Sequence, residues 1–204
     1  MARPLAVSLA AALVLTTASA APVPKNQKAY YAATRVGDKR EYRAGGKVTH
    51  TTVIMKVEEA PGGGLLVTEG YVSGDKPPRP ARVLSVSKDA VTLAVGMGPS
   101  GKDGKKYDPP WVLVKPGAKD GDWWECEPSK GYTISYTARG TERVEVPAGT
   151  FDAVRVEEVN KGAGGGNSRT LWYAPGVGEV KAVINEGIGK GEVRVLHSFT
   201  PGKD

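Results

Sequence analysis

Cysteine and histidine are scarce in this sequence of 204 residues. The single cysteine, Cys126, excludes an intrachain disulfide and a zinc site built from cysteines. The two histidines, His50 and His197, leave little material for a histidine metal site. No apolar run reaches the ~20 residues that a membrane-spanning helix needs. The sequence therefore predicts a protein with no metal and no cofactor.

Glycine and proline are abundant, with 27 and 15 residues respectively. Together they make up about a fifth of the chain, against an average of about an eighth, and they break up long helices. The hydrophobic fraction is 40% and the mean hydropathy is −0.31, which is typical of a chain that folds around a core.

The first twenty residues have the pattern of a secretory signal peptide. Arg3 supplies the charged start, Leu5–Leu15 is a short apolar core, and Ala18-Ser19-Ala20 is a small-x-small cleavage site. Cleavage near Ala20 would leave one all-β domain over residues 21–204, secreted or periplasmic. A lipid anchor is excluded because no cysteine lies at the cleavage point.

Apolar and polar residues alternate over most of the remaining chain. Lys47–Ala60 is dense in β-branched residues, and Tyr132, Ile134 and Tyr136 alternate with threonine and serine. Frequent Gly and Pro turns leave room for ten to twelve short strands. This pattern predicts an all-β antiparallel sheet, folded as a half-open barrel or a sandwich. The predicted core includes Ile134, Val154, Val156, Leu171, Val180, Val193 and Val195.

The two halves of the chain share spaced motifs. Gly37-Asp38 precedes Gly121-Asp122 by 84 residues, and Arg82 precedes Arg169 by 87 within similar segments. The order of the motifs is kept, which favours two related β-meander halves. The predicted halves cover approximately residues 28–95 and 111–199.

Three motifs in the second half carry a resemblance to known proteins. They are Gly121-Asp122-x-Trp124, Val146–Phe151 and Trp172–Lys181. With them, Trp111–Phe199 resembles bacterial secreted β-proteins of the TapB-like and associated domain-of-unknown-function families. The resemblance implies no catalytic residues. The first half departs from the pattern, since it has no tryptophan after Gly37-Asp38.

Aromatic residues of the second half are the first candidates for ligand binding. Neighbouring residues in a strand point to opposite faces. One member of each adjacent aromatic pair is therefore expected to face outward or line a cavity, where it could stack on a sugar ring or an acyl chain. The alternative is that these residues cover the rim of the sheet or a second core. The candidates are Trp111, Trp123, Trp124, Trp172 and Tyr173.

Basic residues form the second candidate site. The segment Gly96–Pro110 is expected to be a long loop without strand character, and it carries Lys102, Lys105 and Lys106. These lysines suggest an anionic envelope polymer or lipid as partner. The alternative is a solvated connection. Nucleic acid is not expected, because no nucleic-acid-binding motif is present.

Catalytic motifs are missing from the sequence. No G-x-S-x-G elbow is present, and Glu125 and Glu127 flank Cys126, which disfavours a reactive thiolate. We therefore predict a secreted non-enzymatic envelope domain that binds or scaffolds a ligand. One alternative is an acyl-chain carrier with an apolar half-barrel cavity above ~300 Å³. The other is a hydrolase of envelope polymers with two carboxylates ~5–9 Å apart.

Overall fold

Every regular element in the described part of the chain is a strand. The computed structural model describes residues 30–98, 104–162 and 166–202. The predicted signal peptide and Lys102 lie outside these ranges. The strands are β1 (Lys39–Ala44), β2 (Lys47–Glu59), β3 (Leu65–Val72), β4 (Arg79–Val86), β5 (Val91–Met97), β6 (Gly104–Val114), β7 (Trp123–Ser129), β8 (Tyr132–Val146), β9 (Gly149–Lys161), β10 (Asn167–Ala174), β11 (Gly178–Glu186) and β12 (Val193–Thr200). Within the same ranges, no helix is long and apolar enough to cross a membrane.

The twelve strands form one antiparallel sheet in the order β6-β5-β4-β3-β2-β1-β12-β11-β10-β9-β8-β7. Consecutive strands pair along each half, and β1 pairs with β12 to join the halves. The sheet curls into a nearly closed barrel with one unsealed seam, between β6 and β7. The predicted all-β antiparallel, half-open architecture is confirmed.

Prolines explain why the seam between β6 and β7 stays unsealed. Pro109-Pro110 lies in β6, and Pro128 lies in β7. Proline has no backbone N–H, so it cannot donate to a ladder and is found in edge strands. Both edges of the sheet therefore carry residues that cannot donate a backbone hydrogen bond to a neighbouring strand.

Side chains bridge the seam where the backbone does not. The Trp124 indole on β7 donates a hydrogen bond to the Val112 carbonyl on β6, at 3.1 Å. The Trp111 indole on β6 donates to the hydroxyl of Tyr136 on β8. Two tryptophans thus hold the two edges together without a ladder.

The core follows the predicted alternation in most strands. Ile134, Val154, Val156, Leu171 and Val180 are buried, as predicted. The prediction is wrong for the two valines of β12. Val193 is 43% exposed, and Val195 is half-buried. The reason is that Arg194, between them, turns inward to pair with Glu179.

Residues 96–97 and 104–110 of the predicted loop Gly96–Pro110 lie in strands, and residues 99–103 lie outside the described ranges. Strand β5 continues to Met97 and β6 begins at Gly104, and Gly96 pairs with Lys105. Backbone pairing with β5 holds the start of β6 in strand conformation, although this part of the sequence has no alternation of apolar and polar residues. The prediction of a long structureless loop is wrong for residues 104–110.

Each half of the described chain contributes six consecutive strands to the sheet. Strand β1 begins at Lys39 and β7 at Trp123, 84 residues later, which equals the spacing of the Gly-Asp motifs. An origin of the two halves from one repeated meander stays a prediction.

Candidate functional site

The barrel encloses a cavity of about 520 Å³. Its lining includes four exposed residues: Thr49, Tyr71, Ser73 and Arg79. Thr49 lies at the start of β2, Tyr71 at the end of β3, and Arg79 at the start of β4. The cavity therefore opens to solvent beside the β1–β2 and β3–β4 hairpins. We call this space the lumen.

Glu69 on β3 is the centre of the first charge cluster in the lumen. It accepts hydrogen bonds from Arg40 on β1 and from Arg82 on β4, the latter through Nε at 3.0 Å. Arg40 and Glu69 are both buried. Burial by itself raises the pKa of Glu69, but the two guanidinium groups outweigh burial and lower it. Glu69 is therefore ionised at neutral pH.

A glycine makes room for Arg40. The Arg40 guanidinium donates to the Val177 carbonyl at 3.0 Å, beside the turn between β10 and β11. Gly178 has a φ of +92°, and a Cβ there would lie 2.9 Å from Arg40 Nη1. Any other residue at this position would meet both backbone strain and the guanidinium.

Glu158 on β9 and Arg169 on β10 form the second cluster. Arg169 donates through Nε to Oε1 at 2.8 Å and through Nη2 to Oε2 at 2.9 Å. The side-chain amide of Asn160 also donates to Glu158, at 2.9 Å. Burial lowers the pKa of Arg169, but the Glu158 carboxylate outweighs burial and raises it.

Glu179 on β11 and Arg194 on β12 form the third cluster, at 2.7 Å. The pKa of Glu179 is lowered, because Arg194 outweighs the opposing effect of burial. The Tyr42 hydroxyl donates to the Glu179 carbonyl at 2.9 Å. Burial raises the pKa of Tyr42 to about 12, so this hydroxyl stays a donor.

Positive charge exceeds negative charge in the three clusters. Their residues are four arginines, Arg40, Arg82, Arg169 and Arg194, and three glutamates, Glu69, Glu158 and Glu179. Arg82, Arg169 and Arg194 line the lumen, whereas Arg40 is bonded to Glu69 and does not line it; Arg79 is exposed and lines the mouth. An interior with an excess of fixed positive charge attracts an anion more than a neutral or cationic molecule.

His50 on β2 forms part of an aromatic row near the mouth. Its ring stacks on Tyr42, with centroids 4.6 Å apart, and meets Tyr71 edge-on at 5.9 Å. Burial, followed by the charge of Arg194, lowers the pKa of His50 to about 4. The imidazole is therefore neutral at pH 7 and adds no charge to the lumen.

Thr52 on β2 gives the lumen a polar atom with unused hydrogen-bonding capacity. The residue is only 2% exposed and lines the cavity. Its Oγ1 is buried and has no hydrogen-bond partner within the described ranges. Buried hydroxyls normally have a partner, so Thr52 is suited to a bond with a molecule in the lumen.

Two of the predicted aromatic candidates line the lumen: Trp111 on β6 and Tyr173 on β10. Two others are buried elsewhere. Trp124 stacks on Tyr136 at 5.5 Å, and Trp172 donates a hydrogen bond to Glu142. The structure thus separates the five candidates and does not bring them to one surface.

Trp123 is the remaining aromatic candidate. It is 67% exposed, whereas its neighbour Trp124 is buried. The expected alternation of this pair is therefore present. In the second pair both Trp172 and Tyr173 are buried, and it is Tyr173 that lines the cavity.

The described lysines of the basic candidate site lie on β6, away from the lumen. Lys105 and Lys106 are exposed, and the Lys105 ammonium donates to the Pro128 carbonyl across the seam at 2.6 Å. Lys102 lies outside the described residues. A role of these three lysines in binding an anionic polymer or lipid stays a prediction.

Sequence reasoning missed the charged residues of the lumen. It assigned the polar positions of each strand to a solvated outer face, whereas in a barrel a polar position can also face the interior. A signal was present: Glu69 and Arg82 flank one predicted turn, as Glu158 and Arg169 flank another. Opposite charges at matching distances from a turn face each other across a hairpin.

Comparison with known proteins identifies the fold. No protein-family profile matches the chain, and no curated protein matches it. A Bacteroides fragilis protein with a YmcC-like fold, described as exported, superimposes with a TM-score of 0.53 and 16% identity, over 84% of this chain and 99% of that one. A Parabacteroides distasonis protein, described as a lipoprotein, gives 0.53 and 14%, over 84% and 98%. The chain therefore has a YmcC-like fold.

Proposed function

We propose that this protein is a secreted, non-enzymatic envelope protein that binds a small organic anion in the lumen. The observation that carries the proposal is the cavity of about 520 Å³, whose three lining glutamates are paired with four arginines: Arg82, Arg169 and Arg194 line the cavity, and Arg40 is bonded to Glu69 without lining it. Secretion is supported by the signal-peptide pattern and by the structural likeness to a protein described as exported. The ligand chemistry that fits is a carboxylate or a phosphate on a small polar body.

The lumen supports this reading better than it supports an acyl-chain carrier. An acyl chain would have to displace water from Glu158, Arg169 and Arg194 without replacing its hydrogen bonds, which is unfavourable. The volume alone would hold such a chain, but the charged lining opposes it.

A hydrolase is supported less well for a different reason. A glycosidase needs one carboxyl that stays protonated near neutral pH. The lumen arginines lower the pKa of Glu69 and of Glu179, so these two groups act as ion-pair partners and not as acids.

Calorimetric titration tests the proposed function. The probes are succinate, inorganic phosphate, glycerol 3-phosphate and, as a neutral control, glycerol. We expect at least one anion to bind and glycerol not to bind. Affinity should fall as ionic strength rises, because the attraction is electrostatic. Binding of glycerol alone, or of none of the probes, would contradict the proposal.

The variant Thr52→Val locates the binding site. It removes the unpartnered hydroxyl and keeps the shape of the side chain. A lost hydrogen bond of ~1 kcal/mol weakens binding about fivefold. Thr51→Val is the matched control, since Thr51 is the preceding residue of the same strand and does not line the lumen. Equal effects of the two substitutions would place the ligand outside the lumen.

A further inference from the structure

A groove of about 570 Å³ lies on the outside of the barrel, beside the seam. One wall is the turn between β4 and β5, with Lys88 and Asp89. The opposite wall is the segment between β6 and β7, with Lys115 and Asp122, which ends at Trp123. The indole of Trp123 is exposed and forms the apolar surface of the groove.

Backbone hydrogen bonds fix the wall that carries Trp123. Within the connecting segment, Ala118 N–H donates to the Lys115 carbonyl at 3.1 Å. At its end, Ala138 N–H donates to the Asp122 carbonyl at 2.8 Å, which ties the segment to β8. Trp123 itself pairs with Thr137 of β8. The backbone that carries the indole is therefore fixed by hydrogen bonds, so a ligand loses little free energy in ordering that backbone.

Glycines keep the groove open above this base. A Cβ built at Gly117 or at Gly121 meets no atom within 4 Å. Gly121 has a φ of +89°, a conformation that other residues rarely adopt. Both glycines line the groove, so side chains at these positions would occupy open space at its lining. Their absence leaves room for a molecule to approach it.

The charges around the indole are balanced. Lys88 pairs with Asp89 at 3.2 Å, and Asp122 accepts a hydrogen bond from the Lys119 N–H at 2.8 Å. The Lys115 ammonium lies 5.2 Å from the centroid of the Trp124 ring. An ammonium has three donors and a carboxylate about four acceptor positions, so each of these groups keeps capacity for a ligand hydroxyl. An acyl chain would gain nothing from these four groups, and a simple anion would meet as much negative as positive charge. A sugar ring has an apolar C–H face that stacks on an aromatic plane and hydroxyls that both donate and accept hydrogen bonds. The groove matches that combination.

We propose that the Trp123 groove is a binding site for carbohydrate, in which the indole stacks on one sugar ring and the surrounding lysines and aspartates bond its hydroxyls. This site is separate from the lumen: Trp123 does not line the lumen, and no residue lines both cavities. A secreted protein that holds a small anion inside would thereby also hold on to a surface polysaccharide.

An array of immobilised oligosaccharides tests the proposal, with neutral hexoses, amino sugars and uronic acids represented. We expect the intact protein to bind at least one class. Trp123→Ala should weaken that binding about tenfold or more, because a tryptophan at the centre of a contact surface is a typical hot-spot residue. Trp123→Phe should keep part of it. Binding should change little between low and moderate salt, because the groove charges balance.

The control variant is Ile188→Ala. Ile188 is fully exposed, apolar and outside the groove, so its removal changes exposed apolar area without touching the site. Vesicles of phosphatidylglycerol and phosphatidylcholine provide the second arm. Binding to vesicles that Trp123→Ala abolishes would identify a lipid surface instead and overturn the proposal. So would an array without a bound sugar, or equal losses in the Trp123 and Ile188 variants.

Discussion

Glu69 faces Arg82 across the β3–β4 ladder as Glu158 faces Arg169 across the β9–β10 ladder. Each carboxylate lies on the third strand of its half, and each guanidinium on the fourth. Both pairs point into the lumen. This equivalence supports the prediction that the halves derive from one repeated meander, and it means that the lumen contains the same ion pair twice.

The Glu69 cluster should be sensitive to loss of its carboxylate. Glu69→Ala would leave Arg40 buried without its anionic partner, which costs ~3–5 kcal/mol in the free energy of unfolding. Glu58→Ala removes one partner of the exposed Lys56–Glu58 pair and should cost less than ~1 kcal/mol. Urea denaturation measures both values. If Glu69→Ala lowers the free energy of unfolding by less than ~1 kcal/mol, water must solvate the Arg40 guanidinium in the variant.

His50 should make stability depend on pH in a defined window. Its pKa is about 4 in the folded protein against an ordinary 6.5, so the unfolded chain binds more protons between these values. The stability that His50 contributes is complete above pH 6.5 and is lost as the pH falls toward 4. Glu69 and Glu179 also have lowered pKa values, and the stability that they contribute is lost only at pH values below their ordinary pKa of 4.5.

Thermal melts at a series of pH values separate the two effects. His50→Phe keeps an aromatic ring against Tyr42. In this variant the melting temperature should depend less on pH between pH 6.5 and 4 than in the parent protein. Val48→Ala changes an exposed residue of the same strand that carries no titratable group, and it should leave the slope of the parent protein in place. An unchanged slope in His50→Phe would show that another group titrates there.

The core assignment of β8 can be checked against β12. Ile134 is completely buried, so Ile134→Ala should cost ~2–4 kcal/mol in the free energy of unfolding. Val193 belongs to the same predicted core but is exposed, and Val193→Ala should cost less than ~0.5 kcal/mol. Similar costs for the two substitutions would contradict the inward turn of Arg194.

Cys126 should be unreactive in the folded protein. Burial, with smaller effects of Glu158 and Glu125, raises the pKa of the thiol from 9.0 to about 11. At pH 8 this lowers the thiolate fraction about a hundredfold relative to the ordinary value. Alkylation by iodoacetamide should therefore be at least ~10-fold slower in buffer than in 8 M urea. Equal rates would mean that the seam beside Cys126 opens readily.

The strands were predictable because local patterns specify them. The alternation around Ile134 and the β-branched run that became β2 need no knowledge of partners. The lumen was not predictable in the same way, because alternation does not tell whether a polar position faces solvent or the inside of a barrel. Glu69 and Glu158 became interior residues because the β1–β12 ladder unites the two halves into one sheet, which then curls; that ladder pairs residues 150 to 161 positions apart.

The closure of the sheet has a consequence for cutting the chain. In the described ranges β6 and β7 share no ladder, and each half is a meander complete in itself, joined to the other through β1 and β12. A single cleavage between Lys115 and Asp122 would therefore break no strand pairing. The protein is a natural candidate for splitting into two fragments that reassemble through the β1–β12 ladder, with the tryptophan bridges reforming across the seam.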